Sequence, residues 1–82
     1  MMQINVLFFA VLREKARASS LQLDVAPRTS VADLLERLRQ ERIGLTTWLD
    51  KCAVAINHQY VPRTAMLEDG DEVALIPPVS GG

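Results

Sequence analysis

Ser30-Val31-Ala32-Asp33-Leu34-Leu35-Glu36-Arg37-Leu38-Arg39-Gln40-Glu41 is the one stretch of this chain that reads as a full-length helix. Val31, Leu34, Leu35 and Leu38 stand at i, i+3, i+4 and i+7, a single apolar stripe at helical period. Asp33, Glu36, Arg37, Gln40 and Glu41 fill the other side. Ser30 has the chemistry of an N-cap: its hydroxyl can accept from the third helical N–H, and Asp33 suits the positive helix end. Asp33 and Arg37 are spaced as an i, i+4 ion pair. Gly44 is placed to end the helix as its C-terminal glycine.

On either side of this helix the pattern changes to period two. Met2, Ile4, Val6, Phe8 and Ala10 fall on one face of a predicted strand, with Leu7 and Phe9 on the other. Val11 to Ala18 is rich in helix formers but short, and predicts a turn or two of helix. Leu21-Gln22-Leu23-Asp24-Val25 alternates as a half-buried strand and stops at Pro27. The first two strands are expected to pair antiparallel. After the helix, Leu45 to Lys51 holds another short turn, with Trp48 and Leu49 as core anchors. Cys52 to Ile56 predicts a strand with Val54 and Ile56 on one face and alanines on the other. Asn57-His58 is turn chemistry, Gln59-Tyr60-Val61 a short return strand, and Asp69-Gly70 the strongest turn signal in the chain. Glu72 to Ile76 is the last strand.

The order is thus ββαβββ, and one helix must cover one face of one sheet. That predicts an α+β domain of the β-grasp, ubiquitin-like arrangement: a mixed sheet of about five strands, one main helix packed on it, and an extended C-terminal tail. The expected division is residues 1–76 for the domain and 77–82 for a flexible Gly-Gly tail. The uncovered sheet face should show Leu7, Phe9, Ala74 and Ile76, more apolar than a solvated face needs, and is read as a docking surface.

Composition narrows the function. Eighty-two residues make one small domain, which buries only about 60% of its unfolded surface. It has no room for both a substrate pocket and a cofactor domain. With 9 basic and 10 acidic residues the formal net charge is −1, so no electrostatic case exists for nucleic acid or for an anionic membrane. One cysteine excludes an internal disulfide and a cysteine-based zinc site. The apolar start lacks the basic opening and cleavage site of a signal peptide, so a cytoplasmic location is expected. His58 has no second ligand near it in sequence, Cys52 has no base beside it, and Arg37, Arg39 and Arg42 are interrupted by acids. His58 is therefore read as a turn residue, Cys52 as packing and the arginine run as a mixed solvated face.

The tail is the site candidate. Pro77 and Pro78 lack N–H donors, so the ladder should end near Ile76. A proline pair favours polyproline II at about 3.1 Å per residue, which projects the last six residues roughly 20 Å beyond the sheet. Two glycines can enter a passage too narrow for any side chain. The group delivered would be the α-carboxylate of Gly82.

Phe8-Phe9-Ala10-Val11-Leu12-Arg13-Glu14 resembles the opening motif of the small, sulfur-carrier subunit of molybdopterin synthase. Asp69-Gly70-Asp71-Glu72-Val73-Ala74-Leu75-Ile76-Pro77-Pro78-Val79-Ser80-Gly81-Gly82 is similar to that family's closing motif nearly throughout. The middle, Ala26 to Thr64, matches in pattern more than in residues.

The resemblance implies a reagent protein rather than an enzyme in its own right. Gly82 would carry an acyl-adenylate and then a thiocarboxylate, and Gly81 would give passage and backbone contacts. Leu7, Phe9, Arg13, Ile76, Pro77, Pro78, Val79 and Ser80 would meet partners. Those partners would be the large synthase subunit in a heterotetramer, an E1-like adenylating enzyme, and a persulfide donor protein. No permanently bound cofactor is implied; ATP would be used by the activating enzyme. The sulfur would go to cyclic pyranopterin monophosphate to build the dithiolene of molybdopterin. A sulfur carrier of another pathway, such as thiamine thiazole synthesis, and a ubiquitin-like protein modifier share the fold and the tail and stay open.

Overall fold

The computed structural model describes residues 1–78, apart from the side chain of Ile43; the expectations for Val79, Ser80, Gly81 and Gly82 lie outside the described residues. Five strands form one mixed sheet: β1 (Met2–Phe8), β2 (Ser20–Val25), β3 (Ala53–Ile56), β4 (Gln59–Val61) and β5 (Glu72–Ile76). Their spatial order is β2-β1-β5-β3-β4. β1 and β5 are parallel neighbours at the centre, and the other three pairings are antiparallel. Three α-helices complete the described residues: α1 (Val11–Ala16), α2 (Val31–Glu41) and α3 (Thr46–Lys51), the last two joined by a 3₁₀ turn. This is the β-grasp arrangement that the element order predicts.

α2 begins where its sequence requires. The Ser30 hydroxyl accepts from Asp33 N at 3.1 Å, and the Asp33 carboxylate accepts from Ser30 N at 3.1 Å. The next two orphan donors of the first turn, Val31 N and Ala32 N, reach the carbonyls of Ala65 and Arg63, both at 2.9 Å. The helix is therefore fixed at its start to the loop that leads into β5. Asp33 is committed to this cap, and the expected Asp33–Arg37 pair gives way to Arg37–Glu41 at 3.0 Å. The Arg37 guanidinium also donates to Asp24 O at 2.6 Å, fastening α2 to the end of β2.

Gly44 does not end the helix. The C-cap is Arg42, at φ −135° and ψ 77°, and its N–H donates to Leu38 O at 2.8 Å. Gly44 falls inside the 3₁₀ turn, where no positive φ is required. Arg42 also donates to Ala16 O at 3.2 Å, satisfying a carbonyl at the end of α1. Arg39 lies between Glu36 at 2.7 Å and Asp50, tying α2 to α3.

The apolar stripe of α2 (Val31, Leu34, Leu35 and Leu38) packs on the inward side chains of Ile4, Val6, Phe8, Leu23, Val54, Val73 and Leu75. All are buried. Leu12 of α1, Leu45 and Leu49 close the end of this core. Fully burying one such leucine is worth about 1.5–3 kcal/mol. Strand β1 ends at Phe8, two residues earlier than its alternation suggests, because the chain turns sharply at Ala10 (φ 51°, ψ −126°).

Candidate functional site

The parallel pairing of β1 with β5 sends the chain out of the sheet at the end where β1 turns into α1. The ladder stops at Ile76, as Pro77 requires. Pro77 is buried and Pro78 exposed. The tail's point of departure is thus set among Phe9, Ala10, Val11 and Trp48, which with Ile76, Pro77 and Pro78 line a groove of about 440 Å³.

The sheet face turned away from α2 can be read row by row from the register. Asn5, opposite Gln22 on one side and Glu72 on the other, makes a polar row at the end remote from the tail. The Asn57 side chain joins this row, accepting from Glu72 N at 3.0 Å and donating to Asp71 Oδ1 at 3.0 Å. The next row on the same face runs Ser20–Leu7–Ala74–Ala55–Tyr60 across all five strands. Ile76, opposite Ala53, begins the last row before the tail, with Phe9 just beyond the end of β1. The face therefore grades from polar to apolar toward the tail exit. Because Ala74 and Ala55 sit at its centre, it is concave. Leu7, Phe9, Ile76 and Tyr60 stand around a depression of about 240 Å³ that His58 and Glu72 close at the polar side.

The structure brings Leu7, Phe9 and Ile76 together on one surface, as their alternation predicts. Phe9 is 37% exposed and lines both hollows. Arg13 stands apart from both: its side chain is exposed and turns back toward Phe8 O at 3.5 Å. Tyr60, 72% exposed, escaped the sequence reading. The Asn57-His58 turn could have found it. Both residues have positive φ, 49° and 73°, and a two-residue turn sets Ile56 opposite Gln59 and Ala55 opposite Tyr60. Trp48, a core anchor by its sequence, is half-buried, packing on the core and also lining the groove with Pro77.

No reactive constellation appears on the described surface. Among the described residues no group of three or more His, Cys, Asp or Glu side chains is placed to hold a metal ion. No described helix is long and apolar enough to cross a membrane. Cys52 is buried, its thiol donating to Leu49 O at 3.4 Å, and burial pushes its pKa up. That is the environment of a packing residue, not of a thiolate nucleophile. Arg63 caps the same corner, donating to Leu49 O at 2.9 Å and Cys52 O at 3.0 Å. What this face can do is bind.

Comparison with known proteins agrees along the whole chain. The profile of the ThiS family matches residues 6–82. The molybdopterin synthase sulfur carrier subunit of Chlamydomonas reinhardtii is 40% identical over 83 residues, covering 99% of this chain and 100% of that protein. Among solved structures, SAMP1 of Haloferax volcanii superposes with a TM-score of 0.87 at 30% identity, covering 98% of this chain and 99% of that one. A chain from the complex of subunits 1 and 2 of molybdopterin-converting factor of Helicobacter pylori is 30% identical. It covers 99% of this chain and 100% of its own, with a TM-score of 0.71. The sequence profile, the relatives and the sheet topology lead to one assignment: the chain belongs to the ThiS family of ubiquitin-like β-grasp proteins.

Proposed function

We propose that this protein is the sulfur-carrier subunit of molybdopterin synthase and that its reactive group is its own terminus. The observation that carries the reading is the coincidence of the tail exit with the apolar end of the uncovered sheet face. A partner that covers Leu7, Phe9 and Ile76 is held where the residues after Pro78 begin. The names of the relatives support the same role, as does the solved pair of subunits from Helicobacter pylori.

The proposed chemistry follows from the carboxylate. A carboxylate is a poor electrophile with a poor leaving group, so Gly82 is first adenylated by an E1-like enzyme at the expense of ATP. Its oxygen attacks the α-phosphorus and pyrophosphate departs. The outer sulfur of a persulfide donor then attacks the acyl carbon and AMP leaves, giving an acyl disulfide; a thiol attacks the donor's own sulfur in that bond, forming a disulfide with it and releasing the thiocarboxylate on Gly82. Gly81 and Gly82, lacking side chains, carry this group into the large subunit, where cyclic pyranopterin monophosphate takes the sulfur. Two charged carriers in succession complete one dithiolene. The groups that catalyse these steps belong to the partners, and the cytoplasm is where the proposal places them.

The test is the mass of the C-terminal peptide after incubation with ATP, the cognate adenylating enzyme and a persulfide source. A sulfur-for-oxygen gain confined to Gly82 is expected. An unchanged terminus under conditions that charge a known carrier overturns the proposal. The likeness to SAMP1, a small archaeal modifier protein, favours one second reading, a modifier joined through Gly82 to lysines. Isopeptide-linked adducts in cells would mark it.

A further inference from the structure

A C-terminus that carries the reactive group is also the substrate of any carboxypeptidase. How far such an enzyme proceeds depends on the burial and hydrogen bonding of the backbone it reaches. In this chain that backbone changes character within three residues. Ile76 is the last residue of β5 and pairs with Ala53, and Leu75 before it is fully buried. Pro77 is buried and lines the groove with Val11 and Trp48. Pro78 is exposed. Val79, Ser80, Gly81 and Gly82 follow it in the sequence.

The two prolines bear directly on hydrolysis. A peptidase holds an extended chain through main-chain hydrogen bonds on both sides of the bond it cuts. Each cut consumes one water: its oxygen goes to the carbonyl carbon, the C–N bond breaks, and the departing nitrogen takes a proton. Every peptide bond from Pro78 to Gly82 has an N–H. The next bond inward, between Pro77 and Pro78, has none, because its nitrogen is part of a ring. The residue on its acyl side is also proline, with φ fixed near −65°, and that ring is buried. The bond after that joins Pro77 to the laddered Ile76. The chemical barrier and the steric one therefore meet at a single bond.

We propose that Pro77-Pro78 is a stop for proteolysis from the C-terminal end, so that trimming by a carboxypeptidase yields one discrete product, the folded chain 1–78. The proposal deepens the function argued above and rests on it, since it assigns a mode of regulation to the same terminus. Trimming removes Gly82, the group that carries sulfur, and leaves Leu7, Phe9, Tyr60 and Ile76 in place. The product is a carrier that cannot be charged and that competes with the intact chain for the same subunit. A peptidase acting on the tail thus lowers sulfur transfer by two routes, loss of carrier and occupation of its partner.

Digestion of the full chain with a nonspecific serine carboxypeptidase, followed by intact mass, tests the stop. Wild type should accumulate at residue 78. Pro78→Ala supplies an N–H at the blocked bond and keeps Pro77, so its digestion should accumulate one residue further in, at residue 77. Wild-type digestion that passes Pro78 without pausing, or a Pro78→Ala chain that also halts at residue 78, overturns the stop. The 1–78 product should keep the circular dichroism of the full chain; loss of the fold overturns the competitor. Added in equal amount to the full chain with the large subunit limiting, 1–78 should lower the rate of sulfur transfer about twofold. An unchanged rate overturns the competition and leaves the stop standing. A wild-type terminus that gains no sulfur, while digestion still halts at Pro78, overturns the function and not the stop.

Discussion

Replacing Ala10 by glycine should make the protein more stable. Ala10 sits at φ 51° and ψ −126°, close to the first central position of a type II′ turn, which glycine normally occupies. The turn is closed by Leu12 N donating to Phe9 O at 3.0 Å. In this region the β-carbon crowds the backbone, at a cost of order 1–3 kcal/mol. Glycine removes that strain but gives the unfolded chain more freedom to lose, about 0.5–1 kcal/mol in the other direction. Ala10 is exposed, so its methyl contributes little burial. The net expectation is a gain of about 1 kcal/mol, which for a domain of this size is roughly 4–8 °C in Tm. Urea unfolding followed by circular dichroism should show the midpoint rising with the slope unchanged, since the surface exposed on unfolding stays the same. A midpoint that is equal or lower at the same slope would refute the account of the turn.

Other outcomes follow from the remaining geometry. Ser30→Ala removes one half of the reciprocal cap on α2 and should cost about 1 kcal/mol in the same urea assay, with Ser30→Asp retaining most of it. Phe9→Asp should weaken binding to the large subunit at least tenfold while changing stability by less than about 1 kcal/mol, because the ring is partly exposed and outside the strand; equal binding by calorimetry would refute the docking face. For Cys52, burial raises the thiol pKa in the fold, so the native state holds its proton more tightly than the unfolded chain does. That contribution is complete below the ordinary thiol range, near pH 8, and is lost as pH rises through the folded value. Urea titrations from pH 7 to 10 should therefore show wild type losing more stability than Cys52→Ala over that interval; parallel curves would contradict it.

Much of the fold is legible because each element carries its own punctuation. Ser30 with Asp33, Pro27, Asp69-Gly70 and the Pro77-Pro78 pair mark boundaries through groups that act locally, and the structure respects all four. What failed was competition between partners. Asp33 could cap the helix or pair with Arg37, and sequence spacing alone does not rank a two-way backbone cap above a surface ion pair. Gly44 was well chosen for a helix end, yet Arg42 ended the helix first, while also bonding Ala16 O on a different element. Trp48 shows the same limit at the site. Helical spacing places it against the core, but its outer edge becomes groove wall only because β5 returns beside β1 and brings Pro77 next to it. That groove is lined by residues far apart in sequence, and no periodicity reports it.

The parallel pair at the sheet's centre also has a consequence for how the chain comes to exist. During synthesis β1 is made before the other described strands and β5 after them, so a chain that stops between the two has β2 on one side of β1 and an open edge on the other, and β3 is likewise left without β5. The contacts that join the two halves are also the most distant in sequence, and their loop closure is slow compared with helix formation. A nascent chain can gather its helices and its two hairpin-like pairs, but it closes its sheet only after Ile76 has cleared the ribosome. Any product that stops short of that strand is left with exposed edges, the kind of species that aggregates or is degraded. Folding thereby acts as a proofreading step, and the pool of folded protein is enriched in chains that were translated through to the strand that bears the tail.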